Sequence, residues 1–168
     1  MKLKKIMALA LSAAMVLSMS ATVFADDKVE TVTEGKLTVA TSPDFAPYEF
    51  YSIDDEGNPT LSGFDMDLAQ YVADKMGLEL EVIPMDFDGV ISELAQKNVD
   101  LGMAGLSPDP AREDAMDFSD LYYKGGQSFV SVKDKADQFK SLKDANNKDY
   151  SIGAQTGSIQ LDLANKNT

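Results

Sequence analysis

Residues 106–119, LSPDPAREDAMDFS, carry Arg112, the one arginine in the chain. Every other fixed cation is a lysine, and Glu113, Asp114 and Asp117 follow within five residues. A surface ion pair is served equally well by lysine. A planar, bidentate grip on a carboxylate or phosphate needs the guanidinium fork. The rival role is an exposed pair with one of those three acids, worth less than ~1 kcal/mol. A second anion-binding feature is Gln155-Thr156-Gly157-Ser158, which leads into a helical pattern. Amide N–H groups at a helix start are unpaired and attract anions. Arg112 and that helix start are able to approach one anion from two sides. Charge-assisted hydrogen bonds contribute ~1.5–3 kcal/mol each, so two or three provide much of the ~8 kcal/mol of a micromolar complex.

These residues need strands to position them. LTVAT (37–41) reads as a strand, and the loop after it holds Ser42, Phe45 and Tyr48. DEGNP (55–59) is turn chemistry between two short extended pieces; it lacks the ligand spacing of a calcium loop. From Asp65 to Met76, Leu68, Tyr71, Val72 and Met76 recur at helical spacing, with Asp65 or Asp67 as cap and Gly77 as stop. LELEVIPM (78–85) alternates like a strand, and Phe87 follows it. Asp88 to Lys97 is a second amphipathic helix with Asn98 as its stop. LGMAGL (101–106) is a short apolar strand of the kind buried on both faces, followed by Ser107. Strand–helix–strand–helix–strand with short connections implies a parallel, doubly wound α/β sheet. In such sheets ligands sit beyond the carboxyl ends of the strands, where these loops lie.

Asp109-Pro110 then reads as an N-cap and first helical residue of a short helix carrying Arg112. GQSFVSV (126–132) and Tyr150 to Ala154 read as extended segments, with a short helix near Ser141 to Ala145 between them. A further helix starts at Ser158. The chain is expected to be an incomplete version of a larger protein, since a lone strand and helix cannot bury a core of their own.

Composition narrows the chemistry. Without cysteine or histidine there are no disulfides, no Ser-His-Asp or Cys-His triad and no ordinary zinc site. No metal or cofactor is expected, and no lipid-bearing cysteine follows the leader. Lys2, Lys4 and Lys5, the apolar run to Phe24 and the small residues before Asp26 read as a secretory signal peptide, residues 1–25, in preference to an uncleaved membrane anchor, for which the run is close to the ~20 residues needed. Removing those three lysines from the 15 cations leaves 12 against 28 acids, a net charge of −16. That surface repels nucleic acid and anionic membranes.

The stretches LTVATSPDFAPYEF, GFDMDLAQYVADKMG, MDFDGVISELAQKNVDLGMAGLSPDPAREDAMDFSDLYY and IGAQTGS resemble the extracytoplasmic amino-acid-binding proteins of ABC importers, the family-3 solute-binding proteins. The resemblance runs from Lys36 nearly to the end. It implies a periplasmic-binding-protein-like fold of two doubly wound lobes joined by a hinge. Residues 26–35 would be a polar leader, 36–126 the first lobe, and 127–168 a hinge strand and the start of an incomplete second lobe. It implies a monomer outside the cytoplasmic membrane that traps a polar amino acid and hands it to membrane permease subunits. Arg112 would hold the ligand carboxylate with Ser107 and amides near Ser158. Phe45 would be the aromatic wall with Phe87 nearby, Gly105 would leave room for the α-amine, and Gln155 would face the pocket from the second lobe. Relatives that select cationic side chains often carry an acid where this chain has Ser42, which argues against lysine or arginine, although Asp44 is two residues away. The aspartate that such proteins supply late in the second lobe for the ligand ammonium is missing here, and the chain is expected to bind weakly or not at all. The alternatives on the same fold are a cyclohexadienyl-dehydratase-like enzyme using Asp44 or Glu49, and the sensing domain of a receptor. The binding protein is preferred, with no catalytic residues.

Overall fold

The computed structural model describes residues 29–167; the expected signal peptide lies outside them. From Thr31 onward the chain is one compact unit. Its centre is β1 (Lys36–Thr41), buried beyond its first residue. A strand covered on both faces needs residues that bury readily at successive positions; Leu37, Val39 and Ala40 are apolar, and the buried Thr38 has its N–H satisfied by the Asp100 carboxylate at 2.8 Å. β1 pairs in parallel with β5 (Glu79–Pro84), Lys36 opposite Glu79 through Thr41 opposite Pro84, and on its other edge with β6 (Leu101–Gly102). The order is β5-β1-β6.

Between β1 and β5 the chain forms an antiparallel ribbon and a helix. The ribbon is β2 (Asp44–Phe45), β3 (Glu49–Ile53) and β4 (Pro59–Ser62). Its tip is closed by Asp54, whose carboxylate accepts N–H groups of Glu56, Asn58 and the Asn58 amide at 2.7–3.0 Å. That acid is therefore spent on the turn, as expected of solvated turn chemistry rather than a calcium loop.

Helix α1 (Phe64–Met76) ends on Gly77 in the left-handed conformation, φ 68°. Its start differs from the sequence expectation. Neither Asp65 nor Asp67 caps it; Phe64 and Asp65 instead donate their N–H groups to the Pro47 and Tyr48 carbonyls of the ribbon. Gly63 permits this approach, because a Cβ there would stand 2.2 Å from the Tyr48 oxygen. With its capping role taken over, the Asp65 carboxylate is free for another use.

Alternate residues of β1 feed two cores. Leu37 and Val39 pack with Ala69 and Ala73 of α1 and with Met103. Ala40 packs with Val99, Ala104 and Val90 of α2 (Phe87–Ala95). This is the two-faced burial of a doubly wound sheet, each fully buried Val or Leu contributing ~1.5–3 kcal/mol. Helix α2 stops before the expected Asn98 because Lys97 takes the left-handed position, φ 61°. Asn98 N–H then reaches back to the Glu93 carbonyl at 3.0 Å.

The third strand is shorter than LGMAGL suggests. It stops at Gly102; Met103 and Ala104 remain buried, and Gly105 turns the chain at φ 56°. Beyond it, Asp109 accepts the Ala111 N–H at 2.9 Å and opens a 3-10 turn, Pro110–Arg112. The expected strands at 126–132 and 150–154 are not paired: among the described residues no neighbouring strand offers them a ladder. Phe129, Phe139 and Tyr150 hold that region by edge-to-face contacts at 5.8 and 5.1 Å. Another 3-10 turn (Lys133–Gln138), α3 (Leu142–Ala145) and α4 (Ile159–Asn167) complete the chain.

Candidate functional site

The carboxyl ends of β1, β5 and β6 converge on a cavity of about 50 Å³. Phe45, Phe87, Gly105, Ser107, Arg112 and Gln155 all line it, joined by Asp44, Glu49, Ala104, Ile159 and Gln160. Ser42 and Ser158, the other two candidates, stand behind it. Ser42 is buried and donates its hydroxyl to Asp44 Oδ1 at 3.2 Å. Asp44 Oδ2 in turn accepts Gln155 Nε2 at 3.0 Å. Ser158 caps α4: its hydroxyl donates to the Gln155 carbonyl at 2.7 Å and accepts the Leu161 N–H at 3.2 Å.

Arg112 has left the acids that follow it. Its side chain is 13% exposed, with Nε 3.7 Å from Asp109 Oδ2. Its Nη2 donates to the Gly157 carbonyl at 2.7 Å, immediately before α4. The guanidinium and the start of α4 are thus adjacent, as an anion clamp requires. Phe45 of the cavity wall stacks on Tyr48 at 5.1 Å, and Tyr48, outside the cavity lining, meets the edge of Tyr123 at 5.3 Å.

Gly105 departs from the expectation that it leaves space for a ligand amine. A Cβ at this position would sit 2.8 Å from two carbons of the Phe45 ring. The space is filled by the aromatic wall itself, so the missing side chain sets where Phe45 stands. The Gly105 N–H donates to Asp65 Oδ2 at 3.1 Å, which holds the left-handed turn.

Asp65 and Glu49 form the site's buried electrostatic centre, which sequence reading treated only as a helix cap and a rival catalytic acid. Both are essentially inaccessible to water, at 0% and 1% exposure. Asp65 also accepts the Tyr122 hydroxyl, 3.1 Å from each oxygen. Glu49 meets no donor at either oxygen. Its carboxyl is pushed up to about 9, first by burial, then by the Asp65 charge and a hydrogen bond to Asp65, and by Asp44. Burial and the Asp65 charge likewise push the Tyr122 phenol up. The sequence signal for the pair was an acid within an aromatic run (YEF) and another opening an apolar helix (GFD).

A cavity with a guanidinium, two carboxyls and an aromatic wall suits a small zwitterion. Among the described residues no group of acids is arranged to hold a metal ion. Comparison with known proteins agrees with this layout. Residues 37–162 match the family model of bacterial extracellular solute-binding proteins, family 3. The arginine-binding extracellular protein ArtP of Bacillus subtilis is 43% identical over 125 residues, 74% of this chain and 46% of ArtP. An amino acid ABC transporter substrate-binding protein, AbpA of Streptococcus pneumoniae, bound to L-arginine, superposes with a TM-score of 0.74 at 37% identity, covering 79% of this chain and 55% of that one. An ancestral arginine-binding protein superposes in its arginine-bound form (TM-score 0.69) and its glutamine-bound form (0.70), each at 40% identity, with 79% and 80% of this chain and 55% and 56% of that one covered. The chain spans about half the length of the curated relatives it matches. It belongs to the family-3 bacterial extracellular solute-binding proteins.

Proposed function

We propose that this protein captures an amino acid with a cationic side chain, arginine foremost, outside the cytoplasmic membrane and delivers it to the permease of an ABC importer. The observation that carries the reading is that Arg112, Asp44 and Glu49 line one cavity. In this reading Arg112 and the start of α4 take the α-carboxylate. The side-chain methylenes lie against Phe45 and Phe87, and the cationic end reaches Asp44 and Glu49. Serine at position 42 argued against such a ligand; Asp44, turned into the cavity, supplies the missing charge. The relatives' arginine ligands support the same choice.

The role is binding rather than catalysis, by a monomer that reaches its place through the cleaved leader. Capture proceeds by closure of a second lobe, with residues 127–168 as its opening part. Ser107 and Gln155 contribute polar contacts at the rim, and Ser42 and Ser158 hold Asp44 and the α4 start in position.

The lone arginine makes the test direct. Arg112 gives the single Nε–H guanidinium resonance of the chain, so its shift reports on the site without assignment ambiguity. L-Arginine is expected to move it saturably, and agmatine, which lacks the carboxylate, to leave it in place. No movement with any common amino acid overturns the reading.

A further inference from the structure

The unused chemistry of the site is its buried acid pair. Glu49 on β3 is 1% exposed, lines the cavity and meets no hydrogen-bond donor. Asp65 on α1 meets it at Gly105: Asp65 accepts the Gly105 N–H and the Tyr122 hydroxyl, and Glu49 Oε1 lies 3.9 Å from where a Gly105 Cβ would stand. Two carboxylates excluded from water cannot both ionise without a cation between them. The donors distinguish the partners. Asp65 accepts two donors, whereas Glu49, with none, is the one that keeps a proton.

We propose that Glu49 and Asp65 share one proton while the cavity holds no cation, release it to solvent when a guanidinium or ammonium enters, and keep it for a neutral amide. The pair is then a specificity element that adapts to ligand charge by changing its proton count. This rests on the amino-acid-binding reading above. With the proton retained, Glu49 presents an uncharged acid to an amide such as that of glutamine. With the proton lost, the pair presents two negative charges to a cation. The balance is simple: one O–H bond of Glu49 breaks, its proton passes to solvent, and the incoming positive charge replaces it.

The other charged and titratable neighbours bear on the pair in known senses. Asp44, on β2, adds negative charge and favours retention of the proton. Tyr122 and Tyr48 are both held neutral, Tyr122 with its hydroxyl on Asp65. Arg112 lines the same cavity but is engaged by Asp109 and the Gly157 carbonyl. Of the pair, it is therefore the Glu49 proton that responds to the ligand.

Carboxyl-carbon NMR of the Glu-labelled chain tests this. Without ligand, one glutamate is expected to titrate near 9, as burial and Asp65 dictate, and to vanish in Glu49→Gln. Saturation with L-arginine is expected to lower that titration by about two units or more, and L-glutamine to leave it within about half a unit. Apparent affinity for L-arginine should then rise by up to about tenfold per pH unit between about pH 7 and about pH 9, that for L-glutamine staying flat. Glu49→Gln should abolish the slope for arginine. Asp65→Asn, which keeps the shape but removes the anion, should return the Glu49 titration towards the ordinary range.

A free-state Glu49 that titrates like an exposed glutamate overturns the proposal without any ligand. So does L-arginine that moves the Arg112 resonance yet leaves Glu49 protonated; in that case the binding reading survives. If no amino acid moves the Arg112 resonance, the binding reading fails and the proposal falls with it.

Discussion

Gln155 donates its amide Nε2–H to Asp44 Oδ2 at 3.0 Å, a contact between residues 111 positions apart in the chain. It ties the segment before α4 to the loop after β1, and Ser42 completes the relay by donating to the other Asp44 oxygen. Asp44 is therefore both a rim charge and the anchor that brings Gln155 to the cavity. Asp44→Ala should weaken L-arginine binding about tenfold, most of it from the lost charge-assisted bonds, discounted because Asp44 is solvent-exposed. Titration of the Arg112 Nε resonance measures this, and an unchanged midpoint removes Asp44 from the cation's surroundings.

The Glu49 carboxyl imposes a pH dependence on stability whose sign is opposite to that of most protein carboxylates. Its folded value is raised from 4.5 to about 9. Below the lower value both folded and unfolded chains hold the proton; above the upper value neither does. Between them the folded chain binds a proton that the unfolded chain has lost, so stability falls as pH rises through this window, by on the order of a few kcal/mol in total. Asp54 and Asp144 are shifted downward by hydrogen bonds from Asn58 and from the Lys140 and Ser141 amides, and act only in the acid range below 3.8. Urea midpoints should therefore be higher near about pH 5 than near about pH 9, and Glu49→Gln should flatten the difference. A midpoint that rises across this range refutes the raised Glu49.

The turn after β6 offers a steric test. Gly105 has φ 56°, and an added Cβ would lie 2.8 Å from the Phe45 ring. Gly105→Ala incurs both a left-handed backbone penalty and the displacement of Phe45, together about 1–3 kcal/mol. In the Gly105→Ala/Phe45→Ala double variant the steric part should disappear and the backbone part remain. The coupling energy from denaturant melts of the two singles and the double separates them. Strict additivity would mean that Phe45 does not fill the glycine's space.

Legibility of this protein in its sequence follows the range of the interactions. Helix α1 with its Gly77 stop, the 3-10 turn opened by Asp109-Pro110, and the Ser141 start of α3 are decided by neighbours a few residues apart, and each was readable. The end of β6 at Gly102 was not. It depends on Gly105 turning to reach Asp65 forty residues back, and the apolar run LGMAGL carries no mark of it. Residues 126–132 and 150–154 have strand composition, but a strand exists only when a neighbour accepts its ladder. Within the site, six of the eight candidates line one cavity because strand ends of a parallel sheet share an edge. The Glu49–Asp65 pair escaped because its meaning lies in mutual proximity and burial, which neither acid's own neighbours reveal.

In the proposed reading, Arg112 is the residue on which recognition of the carboxylate turns. Its Nη2 lies 2.7 Å from the Gly157 carbonyl while Nε faces Asp109 at 3.7 Å. The fork is thus held at two edges, its plane set before any ligand arrives. Lysine at this position presents a single ammonium, which cannot satisfy Gly157 and Asp109 together and still offer two parallel donors. Arg112→Lys should weaken L-arginine and L-glutamine binding alike, by tenfold or more, because both ligands carry the same α-carboxylate. Folding stability should fall by about 1–2 kcal/mol, since the Nη2 bond to Gly157 is lost while the 3.7 Å pair with Asp109 is too long to contribute much. Calorimetry of the variant against both amino acids distinguishes this from the Glu49–Asp65 effect, which separates the two ligands by charge. Equal affinity of Arg112→Lys and the parent chain for both would remove Arg112 from the site.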